Sequence, residues 1–189
     1  MRQNDISDEE LVRRILQGED HLFEKILARY RDRVAALIFS ITGSRSDLED
    51  IAQEAFISIY KNLASFQGRS SLGTWIYRIT VNKCRDWQRR YYLRKPVELL
   101  GIRGLNQASP RDGPELEEQE SIRNAIRSLP EKYRLVIVLY YFHDLSCPEI
   151  AEILGLPKKT VETRLARGRN RIEKMLDWGG ESACTETRI

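Results

Sequence analysis

The segment 145–175 constrains the fold of this chain more than any other stretch. It reads LSCPEIAEILGLPKKTVETRLARGRNRIEKM, which predicts a short helix, a tight turn and a longer basic helix. Ser146 and Glu149 have the spacing of a capping box, and Pro148 falls in the first helical turn, where its missing N–H does little harm. Gly155 then ends the first helix, because glycine tolerates a left-handed cap.

The second helix of this segment has two different sides. Val161, Leu165 and Ile172 lie on its apolar side. The opposite side carries side chains suited to base edges: Lys159, Thr163, Ala166, Arg167 and Asn170. This layout is typical of a helix-turn-helix whose second helix lies in the major groove of DNA. Two short helices around a glycine turn also occur in proteins that never bind DNA. Residues 158–174, however, carry seven basic and two acidic side chains, an excess that favours phosphate binding.

The charge of the chain is arranged in three blocks along its 189 residues. Residues 1–95 carry 17 basic and 13 acidic side chains, residues 96–119 carry 2 and 5, and residues 120–189 carry 12 and 10. The middle block is rich in proline and glycine, which predicts a linker rather than a domain. Two basic modules therefore flank an acidic connector.

These blocks predict four segments of chain. They are an N-terminal domain over 1–95, a linker over 96–118, a C-terminal domain over 119–178 and a frayed tail over 179–189. Fully extended, the linker reaches roughly 80 Å. Since one turn of B-DNA is about 34 Å long, the two domains can grip sites about two turns apart on one duplex.

Apolar spacing predicts an all-α fold of two small helical domains joined by a flexible linker. Capping boxes at Ser7–Glu10 and Ser46–Glu49 predict the starts of the first and third helices, and the first ends near Gly18. The other helices are predicted over 20–41, 72–94, 116–129 and 131–142, ahead of the helix-turn-helix. The sequence contains no convincing two-residue alternation typical of strands.

The fourth predicted helix carries a second nucleic-acid signature. Four polar side chains at steps of four, three and four share one face: Arg78, Asn82, Arg85 and Arg89. Residues 78–95 carry seven basic side chains against one acidic one, with aromatic residues interleaved. Positive charge and stacking surface are what single-stranded DNA requires, and the polar loop 67–71 can read an unpaired base. Trp75 lies on the apolar stripe, so core packing and DNA contact remain alternatives for it.

The third predicted helix has an acidic face over an apolar stripe. Its members are Asp47, Glu49, Asp50, Gln53 and Glu54. Such a face repels DNA. It is either a solvated surface or a docking surface for a basic partner helix, and the residues alone leave both interpretations open.

Cysteine and histidine usage predicts no disulfide framework, metal site, cofactor or catalytic centre. Three widely spaced cysteines, Cys84, Cys147 and Cys184, are expected to be reduced in a cytoplasm, the first two as buried small hydrophobes. His21 and His143 are isolated in the sequence and are expected to be surface or packing residues. The polar N-terminus predicts no signal peptide, and no apolar run is long enough for membrane insertion.

Two long segments resemble a known family. The segment DLEDIAQEAFISIYKNLASFQGRSSLGTWIYRITVNKCRDWQRR resembles region 2 of bacterial RNA polymerase sigma factors of the extracytoplasmic-function (ECF) group. The segment SLPEKYRLVIVLYYFHDLSCPEIAEILGLPKKTVETRLARGRNRI resembles region 4 of the same group. With the N-terminal helices, the resemblance covers nearly the whole chain. It implies a sigma factor that directs core polymerase to promoters by −35 binding and −10 melting.

The resemblance also implies roles for particular residues. The core-polymerase docking set is Asp47, Asp50, Gln53, Glu54 and Phe56. The −10 set is Phe66, Gln67, Gly68, Arg69, Ser70, Trp75, Arg78, Asn82, Arg85 and Arg89. The −35 set is Lys158, Lys159, Thr160, Thr163, Arg164, Ala166, Arg167 and Arg169, with Arg164 and Arg169 on phosphates. The acidic linker is expected to thread the RNA exit path.

Two positions depart from the family pattern. Glu162 stands where a basic residue is common, and it can accept from a cytosine amine or pair with Arg169 or Lys158. Ala166 is small where relatives often place something larger. Both bear on the details of −35 recognition and leave its mode unchanged.

The implied partners are core RNA polymerase, duplex −35 DNA, single-stranded −10 DNA and an anti-sigma protein, which in this family is often membrane-bound. The alternative function is a stand-alone helix-turn-helix regulator that uses only the C-terminal domain. Such a regulator has no need for an aromatic, basic melting helix or an acidic docking helix. A DNA-processing enzyme is a third possibility, which the absence of a paired-carboxylate, metal or nucleophile motif in the sequence disfavours.

Overall fold

The computed structural model describes residues 6–94 and 114–180, with side chains at 6–91, 93 and 121–176. Eight α-helices lie in these ranges: α1 (Asp8–Leu16), α2 (Phe23–Thr42), α3 (Leu48–Asn62), α4 (Leu72–Arg94), α5 (Pro114–Ser128), α6 (Glu131–Tyr141), α7 (Cys147–Leu154) and α8 (Lys158–Gly180). No strand occurs in the described ranges, so the all-α prediction is confirmed there. None of these helices is both long and apolar enough to cross a bilayer.

The N-terminal module consists of α1–α4, which pack around one apolar core. Helix α2 contacts both α3 and α4, and α1 contacts α2. The most deeply buried side chains recur at three- and four-residue steps, as amphipathic helices require. They include Leu11, Ile26, Leu37, Ile38, Ile51, Ile59, Leu63, Leu72 and Ile76. This core holds α4 rigidly by its apolar side and leaves its other side for function.

Asp8 joins α1 to α2 in the N-terminal module. Its carboxylate accepts hydrogen bonds from Arg29 and from the hydroxyl of Tyr30, both on α2. Burial, with the nearby Asp8 charge, raises the pKa of Tyr30. The Tyr30 ring in turn lies against the start of α4, where a Cβ on Gly73 would be 3.3 Å from its Cε1 atom. The ring that Asp8 contacts therefore packs against the first turn of α4.

The C-terminal module consists of α5–α8, with α6 at its centre. Helix α6 is buried along most of its length, through Tyr133, Leu135, Val136, Ile137, Val138 and Leu139. Helix α8 crosses α6 at Gly168, where a Cβ would lie only 2.9 Å from Cγ1 of Ile137. Glycine weakens a helix interior by about 1 kcal/mol relative to alanine. Its place in α8 is explained by the close approach of the two helices.

The three predicted capping boxes have different outcomes. The box at Ser146 and Glu149 is confirmed, with the Ser146 amide donating to Glu149 at 2.9 Å. Gly155 ends α7 in the left-handed conformation, at φ 63°. Ser7 caps α1 by accepting from the Glu10 amide at 3.2 Å, but the Glu10 carboxylate pairs with Arg13 instead of completing the box.

The box predicted at Ser46–Glu49 is wrong. The residue before α3 is Asp47, and no side chain caps the helix. The Asp47 carboxylate instead accepts from Ser46 at 3.1 Å and from Ser44 at 2.5 Å. The serines of this turn thus bond to a neighbouring carboxylate in preference to the helix amides.

Helix boundaries differ from the predictions by a few residues. The second helix was predicted from residue 20, but a 3₁₀ turn at Asp20–Leu22 precedes α2. Helix α5 begins at Pro114, inside the predicted linker, since proline is favoured in a first helical turn. Helix α8 extends to Gly180, into the predicted tail. The rest of the predicted linker, 96–113, and of the tail, 181–189, lies outside the described residues, as do Lys95 and Cys184.

The remaining cysteine and histidine predictions can be compared with the structure. Cys84 is buried, and burial raises the pKa of its thiol to about 12, which suits a small packing residue. The same prediction is wrong for Cys147, which is only half-buried because it begins α7 at the surface. His21 is exposed, whereas His143 packs edge-on against Tyr77 with 5.5 Å between ring centroids.

The two modules pack directly against each other. Helix α4 contacts α7, and α2 contacts α6. The sequence left their relative arrangement open, because the linker length permits both extended and compact forms. In this structure the two modules are in contact.

Candidate nucleic-acid interface

Helix α8 has the two sides that its sequence predicts. Val161 and Leu165 are buried and Ile172 is half-buried, which fixes the helix on α6 and α7. The opposite side is exposed at each predicted position: Lys159, Thr163, Ala166, Arg167 and Asn170. Gly155 turns the chain sharply between α7 and α8, as a helix-turn-helix requires. The exposed side offers donors, an acceptor and a methyl group to a groove.

Other residues of the predicted −35 set surround this exposed side. Lys158 and Arg169 are exposed, while Thr160 and Arg164 are half-buried. Glu162 pairs with Lys158 at 3.5 Å, which is one of the two ion pairs considered for it. Because both side chains are at least half exposed, this pair is weak and leaves both groups accessible.

Arg167 is linked to the core of its module through Tyr133. The hydrogen bond from Arg167 to the Tyr133 hydroxyl lowers the pKa of that phenol. The guanidinium of Arg171 lies 5.2 Å from the centre of the same ring. One aromatic side chain on α6 therefore orients two arginines of α8. Tyr133 is not among the residues predicted from the sequence, because nothing in its spacing shows that α6 passes beneath α8.

The arginine face of α4, made of Arg78, Asn82, Arg85 and Arg89, is present as predicted. Asn82 and Arg89 are exposed, and Arg78 and Arg85 are half-buried. Arg89 makes a long ion pair of 3.7 Å with Asp86 on the same helix. The face thus presents positive charge along about three turns of helix, next to the 66–71 loop.

The 66–71 loop and the start of α4 enclose a cavity of about 140 Å³. Its walls come from Ser65, Phe66, Gln67, Arg69, Ser70, Trp75 and Arg78, with Glu152 added from α7. This volume is many times that needed for one water molecule. Gly68 adopts φ 67°, a left-handed conformation that lets the loop turn over the cavity. The cavity combines an aromatic wall, an amide and two guanidinium groups.

Trp75 is buried, with 5% of its surface exposed, and its ring centroid lies 5.6 Å from that of Phe66. Core packing, one of the two alternatives for this residue, is therefore what the structure shows. The same ring also forms part of the cavity wall. Phe66 is half-buried beside it.

The acidic face of α3 lies beside α4 in the N-terminal module. Asp50 and Gln53 are exposed, Asp47 and Glu54 are half-buried, and Phe56 is buried with 8% exposure. Phe56 belongs to the hydrophobic core and presents little surface to a partner. Ile57 and Tyr60, which the prediction omitted, are large apolar side chains exposed on the same helix. Ile57 lies four residues after Gln53 and three after Glu54, and Tyr60 lies four after Phe56. This spacing puts them next to the predicted docking residues on the helix surface, and it was visible in the sequence.

Contacts between α4 and α7 join the two candidate DNA-binding modules. Thr74 donates a hydrogen bond to Glu149 at 3.4 Å, and Arg78 forms an ion pair with Glu152 at 3.9 Å. Hydrogen bonds from Ser146, and then the one from Thr74, lower the pKa of Glu149, which keeps it charged at neutral pH. None of these contacts was predicted, because 75 residues separate Thr74 from Glu149.

His143 lies at this same junction. Its Nε2 atom is buried without a hydrogen-bond partner among the described residues. Burial lowers the pKa of His143, and the charge of Arg33 on α2 lowers it further. The imidazole is therefore neutral at pH 7. Within the described residues, no cluster of histidine, cysteine, aspartate and glutamate is arranged to hold a metal ion.

Comparison with known families gives two matches in the expected order. Residues 26–93 match the family described as Sigma-70 region 2, and residues 119–172 match Sigma-70 region 4. The two matches correspond to α2–α4 and to most of α5–α8.

Whole-chain comparisons extend these matches. The ECF RNA polymerase sigma factor SigW of Bacillus subtilis is 39% identical over 178 residues, 87% of this chain and 94% of that protein. The ECF RNA polymerase sigma-E factor of Escherichia coli K12 is 34% identical over 179 residues, 89% and 93% of the two chains.

Solved structures show the same fold. CnrH, in complex with the cytosolic domain of CnrY, superposes with a TM-score of 0.66 at 27% identity, over 88% of this chain and 95% of that one. Sigma factors are non-catalytic subunits that direct RNA polymerase to promoters. The matches to regions 2 and 4 and the identity over most of its length show that this chain belongs to the ECF RNA polymerase sigma factors.

Proposed function

We propose that this sigma factor divides promoter recognition between its two modules. The exposed side of α8 reads the −35 element, and the cavity at the 66–71 loop captures an unpaired base of the −10 element. The observation that carries this proposal is the pairing of an aromatic-walled cavity with the arginine face that leads away from it. A strand running along α4 meets positive charge at its phosphates and stacking surface at its bases.

Polymerase docking is assigned to α3. Its acidic face complements a basic partner, and the exposed Ile57 and Tyr60 supply the apolar contact area that charge alone lacks. Phe56 supports this surface from beneath, because it is buried. We assign direct contact to Asp50, Gln53 and Glu54.

A protein inhibitor is the third proposed partner. CnrH, which shares this fold at 27% identity, is found in complex with the cytosolic domain of a second protein. An anti-sigma partner of this kind, itself membrane-bound, suits a chain expected to work in the cytoplasm. An inhibitor that covers the acidic face of α3 would compete with core polymerase.

Run-off transcription tests the leading proposal. Purified bacterial core polymerase is incubated with fragmented host DNA, with and without the chain. Discrete chain-dependent transcripts are expected, and the aligned start sites give the promoter. Core binding without transcripts would instead point to an accessory or inhibitory role, and failure to bind core would contradict the assignment of α3.

A further inference from the structure

Three cations from two helices surround the side chain of Tyr133. The Nζ atom of Lys132, on α6, lies 5.1 Å from the centre of the Tyr133 ring, and the guanidinium carbon of Arg171, on α8, lies 5.2 Å from it. Both distances are within the range of about 6 Å over which a cation is attracted to a ring face. Arg167 donates a hydrogen bond to the hydroxyl of the same residue. Because Tyr133 is buried, with 6% of its surface exposed, it fixes where the three cations stand.

Acidic side chains do not neutralise this cluster. Within the described ranges, none of Lys132, Arg167 and Arg171 forms an ion pair. The hydrogen bond from Arg167, and then the charges of all three cations, lower the pKa of Tyr133. Lys158 of the same helix α8, by contrast, is paired with an acidic neighbour. Gathered charges of one sign attract counter-ions, so the cluster is suited to an anion from outside the chain.

The cluster borders the side of α8 that is assigned to the −35 element. Arg167 belongs to that side, and Arg171 follows it by four residues, which places the two guanidinium groups on one face of the helix. All three cations are exposed. A helix that reads base edges in the major groove lies between two phosphate backbones, so cations beside its reading side meet phosphates. Lys132 and Arg171 nevertheless belong to none of the predicted DNA-binding sets.

We propose that Lys132 and Arg171 bind the DNA backbone beside the −35 element, as a phosphate site that Tyr133 holds together. This inference rests on the proposed reading of the −35 element by α8. A guanidinium group has five N–H donors, so Arg167 keeps donors for a base edge while one of them bonds to Tyr133. The phosphate site positions α8 along the groove and carries no sequence information, because phosphates are the same at every base pair.

Loss of phosphate contacts has a signature that separates it from loss of base reading. Each contact releases counter-ions from DNA, so removing two contacts is expected to make the fall of log K with log[salt] shallower by about 1.8. Binding of duplex DNA at a fixed low salt concentration is expected to weaken by about three- to tenfold. The preference for −35 DNA over a scrambled duplex should stay the same, because a phosphate contact acts on every sequence alike.

The test uses the full chain carrying Lys132→Gln and Arg171→Gln together. The control carries Lys25→Gln and Arg31→Gln, at two exposed positions of α2, with the same change in net charge. A third protein, with Lys132→Arg and Arg171→Lys, keeps both charges but changes the side chains on the ring. A fluorescent duplex with the −35 element mapped by run-off transcription, and a scrambled duplex, are titrated with each protein over a range of salt concentrations. Thermal unfolding checks that each variant is folded.

A shallower salt dependence with equal weakening on both duplexes, in the glutamine variant alone, supports the inference. An unchanged salt dependence overturns it, as does a loss confined to the −35 duplex. An equal change in the α2 control also overturns it, because net charge is then the cause, and so does an equal loss in the charge-retaining variant, which indicates packing on Tyr133. Wild-type protein that binds both duplexes equally would contradict the −35 role of α8, whereas the salt dependence would still decide whether the phosphate site exists.

Discussion

Arg90 of α4 donates to both carboxylate oxygens of Glu54 on α3, at 3.0 and 3.2 Å. This ion pair links the basic helix that carries the −10 surface to the acidic face assigned to polymerase docking. The hydrogen bond to Glu54 and the charge of that carboxylate raise the pKa of Arg90. Both side chains are about half exposed, which makes the pair accessible to salt and to a competing partner.

The coupling between Arg90 and Glu54 can be measured with a double-mutant cycle. Arg90→Ala, Glu54→Ala and the double variant are expected to give a coupling of about 0.2–1 kcal/mol in the free energy of unfolding. Urea denaturation at 50 mM and 500 mM salt measures it, and the coupling should shrink at the higher salt because the pair is exposed. A coupling of zero at low salt would show that the pair contributes nothing.

Arg167→Ala is expected to weaken −35-dependent initiation by about 1–3 kcal/mol, since it removes a donor to a base edge. Core binding should be unchanged, because α8 packs on the other helices of the C-terminal module, whereas α3 belongs to the N-terminal module. Asp50→Arg is the reciprocal variant. It should lose core binding and retain the binding of −35 DNA measured without core polymerase. Initiation assays and core-binding titrations on both variants check this, and equal loss of both activities in either one would refute the division of labour.

Gly168→Ala is expected to destabilise the C-terminal module by about 1–2 kcal/mol, although alanine favours a helix more than glycine does. The physical reason is the 2.9 Å separation between the new Cβ and Cγ1 of Ile137, a branched core side chain that cannot move aside freely. Thermal unfolding measures the change. The matched control is Asn170→Ala on the exposed side of the same helix, which should be neutral or stabilising. A higher melting temperature for Gly168→Ala would contradict the packing described between α6 and α8.

Acidification is expected to weaken the structure through His143. The folded pKa of this histidine lies below its ordinary value of 6.5, so its neutral form is favoured by folding. Stability from this group is fully present above pH 6.5 and is lost as the pH falls below that value, because the unfolded chain then binds the proton more readily. Tyr77, Arg33 and Asp144 are the ionisable groups that act on it.

Urea denaturation at pH 7.5 and pH 5.5 measures this dependence. His143→Gln should reduce the difference between the two pH values, whereas His21→Gln, at an exposed position, should leave it unchanged. Glu149 does not interfere, because its pKa is lowered from 4.5 and its contribution is lost only at more acidic pH. An identical pH dependence in wild type and His143→Gln would rule out this histidine as the source.

Much of the local structure follows from the sequence because it depends on neighbours in the chain. The capping box at Ser146, the left-handed Gly155 and the exposed side of α8 involve residues within four positions of each other or one helical repeat. The same holds for the arginine face of α4. The failed box at Ser46 shows the limit, since Asp47 offered the serines a competing acceptor one residue away.

By itself, the sequence determined the helical elements, the two-module order and membership of the sigma family, because periodicity, caps and motifs are local properties. Only the tertiary structure decided that Phe56 and Trp75 are buried, that Tyr133 orients Arg167, and that α7 covers the start of α4. Each of these depends on which helices meet across long stretches of chain. Such contacts between helices follow from the packing of whole surfaces, and no single spacing within the sequence encodes them.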